Sequence, residues 1–209
     1  MSFSNERIDA LRERVRAGIS EWRFTHTAEV EKMAVRLGEI YVPEKIPMLR
    51  AAALLHDITK EKSTEEQLDI LEAHGVKITE FDRMSPKTLH ARTAELVIID
   101  EFPEFADAEL LSAVRRHTTG AAEMTVTDAV IYLADYIDMS RKFEDCVYLR
   151  EYFWGKEPEK MDLAAREEHL WQTLVISFDM TLKALIEDGA PISVETVSAR
   201  NAILARLKK

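Results

Sequence analysis

Helical spacing of the apolar residues is the feature that most constrains the fold of this chain. Ile8, Leu11, Val15 and Ile19 recur at steps of three and four, so one stripe of that segment faces a core. Similar stripes continue along most of the 209 residues, and no segment sustains the period-two alternation of a half-buried strand. The sequence therefore predicts an all-α fold.

Helix boundaries are marked by residues that cap or interrupt helices. Ser63 and Glu66 form a capping-box pattern before a helix that ends at Gly75. Pro86 is expected at the first position of a helix through "KTLHARTAELVII", and Asp107 is expected to cap "AELLSAVRRH". An irregular stretch around "WGKEPEK" precedes a long helix through "LWQTLVISFDMTLKALIED". These signals predict a series of separate helices.

Domain organisation is expected to be simple. The hydrophobic fraction of 46% suffices for one substantial core, and no repeat, low-complexity tract or linker indicates a second domain. We expect residues 1–209 to form a single domain, on which the C-terminal helices, about residues 165–209, are packed.

The net charge and the cysteine content limit which binding partners and which cellular compartment are expected. The formal net charge of -10 repels polyanions, so bulk nucleic acid is not an expected partner. Cys146 is the single cysteine, which excludes an internal disulfide and suits the cytoplasm. No apolar run approaches the length of a membrane span, so no membrane partner is expected. The sequence is compatible with a homodimer.

The six histidines fall into two classes. His74, beside a helix-ending glycine, and His169, in a polar run, are expected to be structural or solvated. The other four lie in chemically distinctive segments: His26 in "RFTHTAEV", His56 in "LLHDITK", His90 in "TLHARTAE" and His117 in "VRRHTTG". A lone histidine of this kind is more often a hydrogen-bonded core residue than a ligand, but four together indicate a metal site.

Two aspartates strengthen that hypothesis. Asp57 follows His56 directly, and Asp135 lies inside the apolar stretch "YLADYID". A buried carboxylate needs a cation, and neutral imidazoles are natural co-ligands. Nitrogen and oxygen donors without thiolate favour iron, manganese or zinc over calcium. Because six ligands exceed what one catalytic ion needs, we expect two ions, with His56 on one and Asp57 bridging to the other.

The order of these residues resembles the HD-domain metal-dependent phosphohydrolases. The segments "RFTHT", "LLHDITKE", "SPKTLHA", "RRHTTG", "ADYID" with the following Arg141, and "APISVETVSARNAIL" are similar to the YqeK branch, the symmetrical bis(5'-nucleosyl)-tetraphosphatases. That branch often has glutamate and proline where this chain has Asp138 and Met139. The resemblance implies an HD-type helical bundle and extends from about Arg7 to the C-terminus.

The same resemblance implies an activity and a ligand set. A metal-bound hydroxide would cleave diadenosine tetraphosphate symmetrically to two ADP, with two divalent ions, iron first and manganese or another transition metal as alternatives. The implied ligands of one ion are His26, His56, Asp57 and Asp135, and those of the second are Asp57, His90 and His117.

Residues expected to assist catalysis or bind phosphate complete the prediction. Asp57 and Lys60 are the expected catalytic residues; Lys60 can neutralise phosphate charge, or it can be a surface lysine paired with an acidic neighbour. The expected substrate-binding residues are Lys60, Arg23, Arg116, Thr118 and Arg141. Trp22, Trp154 and Trp171 can stack on a base, although aromatic residues at helical spacing are more often core residues.

Other functions fit parts of the same pattern. The enzyme can act on a different nucleotide, because the sequence separates phosphoester substrates poorly. A diiron oxygenase can use the same order of ligands, but Lys60 and the nearby arginines favour phosphate. A noncatalytic nucleotide sensor is disfavoured by the complete ligand set.

Overall fold

A computed structural model describes residues 3–208, which form eleven α-helices and no strand. The helices are α1 (Asn5–Gly18), α2 (Glu21–Tyr41), α3 (Ile46–Leu55), α4 (Thr64–Ala73), α5 (Glu80–Met84), α6 (Leu89–Glu101), α7 (Ala108–Arg116), α8 (Val126–Ile137), α9 (Glu144–Gly155), α10 (Leu163–Glu187) and α11 (Val194–Arg206). The predicted all-α fold is confirmed. Within the described residues, no helix has both the length and the apolar character needed to cross a membrane.

Most predicted helix starts are confirmed by their capping contacts. Ser63 and Glu66 form the capping box of α4, and Asp107 accepts backbone hydrogen bonds at the start of α7. The start of α6 was predicted wrongly: Pro86 begins a separate short 3-10 turn, and α6 begins at Leu89. A proline, which lacks an N–H, is favourable at the first residue of a 3-10 turn as well as of an α-helix. Pro86 therefore could not show which of the two begins there.

The segment before α10 is more ordered than the sequence indicated. The helix α9 precedes a turn in which Glu157 adopts a left-handed backbone with φ of 52°, and Pro158–Lys160 form a 3-10 turn. The N-cap residue of α9 is Phe143, whose side chain cannot accept a capping hydrogen bond. The usual sequence signal for a helix start is therefore absent.

The helix α3 forms the centre of the bundle. Its sequence "IPMLRAAALL" is apolar on nearly every side, and it packs against α1, α2, α7 and α8. A helix that is hydrophobic all round must be buried on all sides. This places the end of α3, and the residues that follow it, deep inside the protein.

The C-terminal helices contribute to the same hydrophobic core. Trp171 and Phe178 of α10, and Ala199 and Ile203 of α11, belong to the buried cluster that contains α3. Gly120 lies against them with a positive φ of 68°, and a Cβ built there would lie 2.6 Å from Phe178 and 2.9 Å from Ala199. The turn after α7 is therefore packed directly on α10 and α11.

We predict that Gly120→Ala destabilises the protein more than Gly189→Ala. Both glycines have positive φ, which costs other residues ~1–2 kcal/mol, but nothing lies within 4 Å of a Cβ at Gly189. The clash at Gly120 should cost a further ~1–3 kcal/mol in the free energy of unfolding. Urea denaturation of both variants measures the difference. Equal losses would mean that Phe178 and Ala199 move aside without cost.

Candidate metal centre

All six predicted metal ligands converge on one buried cluster. They come from five helices or their ends: His26 from the interior of α2, His56 and Asp57 from the residues after α3, His90 from the first turn of α6, His117 from the end of α7, and Asp135 from α8. His56 is 0% exposed and Asp57 is 4% exposed. Because α3 ends at Leu55, the two neighbouring side chains can both point into this cluster.

The Asp57 carboxylate lies between two pairs of histidines. Its Oδ2 is 3.8 Å from His26 Nε2 and 3.6 Å from His56 Nε2. Its Oδ1 is 3.3 Å from His90 Nε2 and 3.6 Å from His117 Nε2. Each oxygen thus faces its own pair of ring nitrogens, which is the arrangement that a carboxylate shared by two cations requires.

Asp135 joins the first of these two pairs. Its Oδ1 lies 3.0 Å from His26 Nε2 and 3.7 Å from His56 Nε2. The side chain is 16% exposed, so it lies at the edge of the cluster. Asp57, Asp135 and two histidines therefore form one group of donors, while Asp57 and the other two histidines form a second.

Three of the four histidines are oriented by backbone carbonyls. His56 Nδ1 lies 2.6 Å from Ala53 O, and His117 Nδ1 lies 2.6 Å from Val114 O. His90 Nδ1 likewise lies 2.9 Å from a carbonyl, that of Lys87. These contacts place the proton on Nδ1, so each Nε2 presents a lone pair to the cluster.

His26 is oriented by side chains instead. It lies inside α2, where the helix uses the backbone carbonyls, and its Nδ1 is 3.4 Å from Asp138 Oδ2 and 3.2 Å from Ser140 Oγ. Asp138 is 0% exposed, and its Oδ1 accepts a 2.7 Å hydrogen bond from the Ser140 backbone N–H. In the sequence, Asp138 was noted only as a departure from the branch pattern. A carboxylate directly after the apolar helix α8 was the signal that could have identified it.

Burial and neighbouring charges set the ionisation of the cluster. Burial lowers the pKa of His56 to about 4, and it holds the pKa of His90 well below its ordinary value. Burial would raise the pKa of Asp57, but interactions with His56 and His117 outweigh it and hold this pKa well below the usual range. Burial also opposes protonation of His26, yet hydrogen bonds to Asp135 and Asp138 raise its pKa to about 9.

Several contacts indicate that the cluster fits divalent cations. The buried Nε2 of His56 has no hydrogen-bond partner among residues 3–208. Nε2 of His90 lies 2.9 Å from Nε2 of His117, and the carbonyl contacts leave both nitrogens unprotonated. Lone pairs this close are stabilised by a cation between them. Imidazole nitrogens and carboxylate oxygens suit iron, manganese or zinc.

Four of the five predicted phosphate-binding residues contact the cluster. Arg23 Nη1 lies 2.8 Å from Asp57 Oδ2, and Arg141 forms an ion pair with Asp135. Lys60 Nζ is 3.0 Å from His90 Nε2, and Thr118 Oγ1 is also 3.0 Å from that atom. The fifth residue, Arg116, lies farther out.

Arg116 and Lys60 show where the sequence interpretation was incomplete. The Arg116 guanidinium binds Asp128 at 2.8 Å and the carbonyl of Glu123, so no contact ties it to the metal cluster. Lys60 is not paired with Glu61, which instead binds the backbone N–H of Ser20 at 2.8 Å. The surface-lysine alternative for Lys60 is therefore wrong.

The two remaining histidines have the structural roles that were expected. His74 Nε2 lies 2.9 Å from Asp100 Oδ2 at the surface. His169 is buried, stacks on Phe153 and lies 3.0 Å from the Phe153 carbonyl. Neither residue lies in the cluster.

A cavity of about 600 Å³ lies beside the segments that carry His90 and His117, although no cluster residue lines it. Thr88 and Ala91, which flank His90 in sequence, line it, as do Thr119 and Gly120 after His117. The remaining lining residues are Thr79, Phe81, Asp82, Arg92, Arg115, Arg116, Ala121, Ser193, Val194 and Glu195. Three arginines and two carboxylates thus line this cavity.

Fold and site together define an all-α domain with a buried histidine–aspartate cluster suited to metal ions. A family model described as HD domain matches residues 23–140, which include all six cluster residues. The chain belongs to the HD domain family.

Relatives with full-length similarity carry a more specific name. A Bacillus subtilis protein, "Bis(5'-nucleosyl)-tetraphosphatase, symmetrical", is 27% identical over 91% of this chain and 94% of its own length. A Staphylococcus aureus protein of the same name is 24% identical over 93% of each chain. A crystal structure described as a predicted HD superfamily hydrolase involved in NAD metabolism, from Clostridium acetobutylicum, is 28% identical with a TM-score of 0.81, covering 95% of this chain and 97% of that one.

We predict that Asp57→Asn removes bound metal and most hydrolytic activity without unfolding the protein. The amide keeps the size of the side chain but removes the negative charge between the two histidine pairs, and a loss of at least about a hundredfold is expected. Metal analysis, turnover and circular dichroism measure the three properties. His74→Ala is the matched control, because that histidine lies outside the cluster. Unchanged metal content and turnover in Asp57→Asn would contradict the shared-carboxylate arrangement.

We also predict that Asp138→Asn weakens metal binding through His26. The carboxylate faces Nδ1 of His26, and removal of such an orienting partner costs about 10–100-fold in metal affinity. Competition with a chromophoric chelator measures this affinity, and thermal unfolding of the metal-free variant tests for simple destabilisation. Asp145→Asn is the control, because Asp145 binds the Tyr136 hydroxyl outside the cluster. Wild-type metal affinity in Asp138→Asn would show that Asp138 does not contribute to metal binding.

Proposed function

We propose that this protein hydrolyses diadenosine tetraphosphate symmetrically to two ADP in a metal-dependent reaction. The Asp57 carboxylate between two histidine pairs is the observation that carries the proposal, since it creates adjacent positions for two cations. The names of full-length relatives supply the substrate. The clustered cations Arg23, Lys60 and Arg141 support a polyanionic substrate.

The proposed ligand sets follow the two donor groups. His26, His56, Asp57 and Asp135 would hold one ion, and Asp57, His90 and His117 the other. Iron is the metal we propose, with manganese or another transition metal as alternatives. When bound, such ions neutralise phosphate charge and lower the pKa of a water molecule toward neutrality.

The surrounding cations would hold the tetraphosphate against the cluster. Arg23 and Arg141 are now bound to Asp57 and Asp135, and their guanidinium groups can transfer to phosphate oxygens when cations occupy those carboxylates. Lys60 contacts His90 and would act as a point charge on an inner phosphate. Thr118 can donate its hydroxyl hydrogen to a phosphate oxygen. These side chains neutralise a substrate that the net charge of -10 would otherwise repel.

The adjoining cavity would receive one nucleoside of the substrate. Its volume of about 600 Å³ lies within the range of small-molecule sites. Arg116 lines this cavity and binds Asp128. Its proposed contact is therefore with the part of the nucleotide that lies beyond the inner phosphates. Residues 1–209 would act as one HD-type domain, because the start of α11 forms part of the cavity wall.

Other reactions at the same centre differ in their products or in the charged residues that they require. Hydrolysis of another nucleotide uses the same cations, and only the products distinguish it. A diiron oxygenase would not need three cations against the ligands, so Arg23, Lys60 and Arg141 favour phosphate chemistry.

We predict ADP as the only nucleotide product of diadenosine tetraphosphate. In symmetrical hydrolysis, a water oxygen bonds to one inner phosphorus, and the bond from that phosphorus to the central bridging oxygen breaks. The bridging oxygen leaves on the second ADP. Mass spectrometry after reaction in water labelled with heavy oxygen should therefore find one label per substrate cleaved.

Three other outcomes would each contradict the proposal and indicate a different reaction. Equal amounts of ATP and AMP would mean attack at an outer phosphate. Release of inorganic phosphate from a mononucleotide, with the dinucleotide left intact, would indicate a different substrate. Oxygen consumption without phosphate chemistry would favour the oxygenase.

A further inference from the structure

Trp22 occupies an unusual position for a large apolar side chain. The sequence left open whether Trp22 stacks on a base or lies in the core, and 72% of it is exposed, whereas Trp171 is a core residue with 2% exposure. Trp22 is the second residue of α2, and its ring packs on the Arg23 guanidinium, whose Cζ lies 4.7 Å from the ring centroid. The core alternative therefore does not apply to Trp22, and most of its aromatic surface faces solvent.

Arg23 links this exposed ring to the metal cluster. The Arg23 side chain is 13% exposed, and its Nη1 lies 2.8 Å from Asp57 Oδ2. One buried guanidinium thus separates the Trp22 ring from the carboxylate between the two histidine pairs. A ligand phosphate bound at the cluster would lie within reach of both residues.

The contacts of Asp57 place Trp22 and one histidine pair at different oxygens of its carboxylate. Asp57 Oδ2 faces Arg23, on which Trp22 packs, whereas Asp57 Oδ1 faces His90 and His117. A substrate with two nucleosides, held at its central phosphates, would extend one nucleoside away from Arg23. Its other nucleoside would extend toward the exposed ring.

We propose that Trp22 forms a second nucleobase site, on which the purine of the distal nucleoside stacks. This inference rests on the proposed function and assigns a contact to one nucleoside of its substrate. A base stacked on an aromatic side chain needs only a free ring face, and the cation on the other side of the indole holds the ring in place. Trp22 thus selects for substrates that carry a second nucleoside.

The test compares substrates with two nucleosides and with one. The ratio of kcat/KM for diadenosine tetraphosphate to kcat/KM for adenosine 5'-tetraphosphate should fall about tenfold in Trp22→Ala, chiefly through KM for the dinucleotide. Trp22→Phe, which keeps an aromatic face, should restore most of the ratio. Tyr148→Ala is the control, because Tyr148 is an exposed aromatic of α9 with 55% exposure. A Trp22→Ala ratio equal to that of wild type, or a loss shared equally by both substrates, would overturn the proposal.

Fluorescence provides a readout that does not depend on turnover. A diadenosine tetraphosphate analogue with methylene groups in place of the bridging oxygens should quench tryptophan emission in wild type and much less in Trp22→Phe. Equal quenching in the two proteins would overturn the stacking site. If wild type instead formed no ADP from the dinucleotide while the analogue still quenched Trp22, the proposed function would fail and the nucleobase site would stand.

Discussion

The carboxylate of Asp57 is the group on which the rest of the site depends. An ionised carboxylate at 4% exposure is stable only with positive charge beside it, which Arg23 supplies at 2.8 Å from Oδ2 in the protein alone. Each oxygen also faces two histidine nitrogens, which suits a carboxylate shared by two cations. The fold provides this position by ending the strongly apolar helix α3 just before His56, so that the backbone turns inside the core. The helices α2, α6, α7 and α8 then supply the surrounding ligands.

Orientation of the histidines follows from where each one lies in its helix. His56 and His117 occupy helix ends, where the last carbonyls lack helical partners and can accept from Nδ1. His26 lies in a helix interior, so a carboxylate from another segment, Asp138, takes that role. The departure from glutamate and proline in the loop after α8 is accommodated by Ser140, which holds Asp138 through its backbone N–H and hydroxyl. Both arrangements hold Nδ1 and direct Nε2 toward the cluster.

The cations around the cluster have two uses that depend on what is bound. Arg23 and Arg141 neutralise Asp57 and Asp135, which keeps buried carboxylates tolerable in the protein alone. In the proposed reaction, the same guanidinium groups would bind phosphate once cations take over that task. A chain with a net charge of -10 can in this way concentrate positive charge at one position and leave its remaining surface acidic.

The sequence by itself determined the helical class and the six cluster residues, because periodicity and ligand chemistry are local properties of the chain. It also predicted four cations or donors that contact the cluster, but not that Arg116 binds Asp128 instead. Only the tertiary structure decided which oxygen of Asp57 faces which histidines, that Asp138 orients His26, and that Trp22 is exposed beside Arg23. Those outcomes depend on contacts between segments far apart in the chain, and residue spacing within one helix carries no information about them.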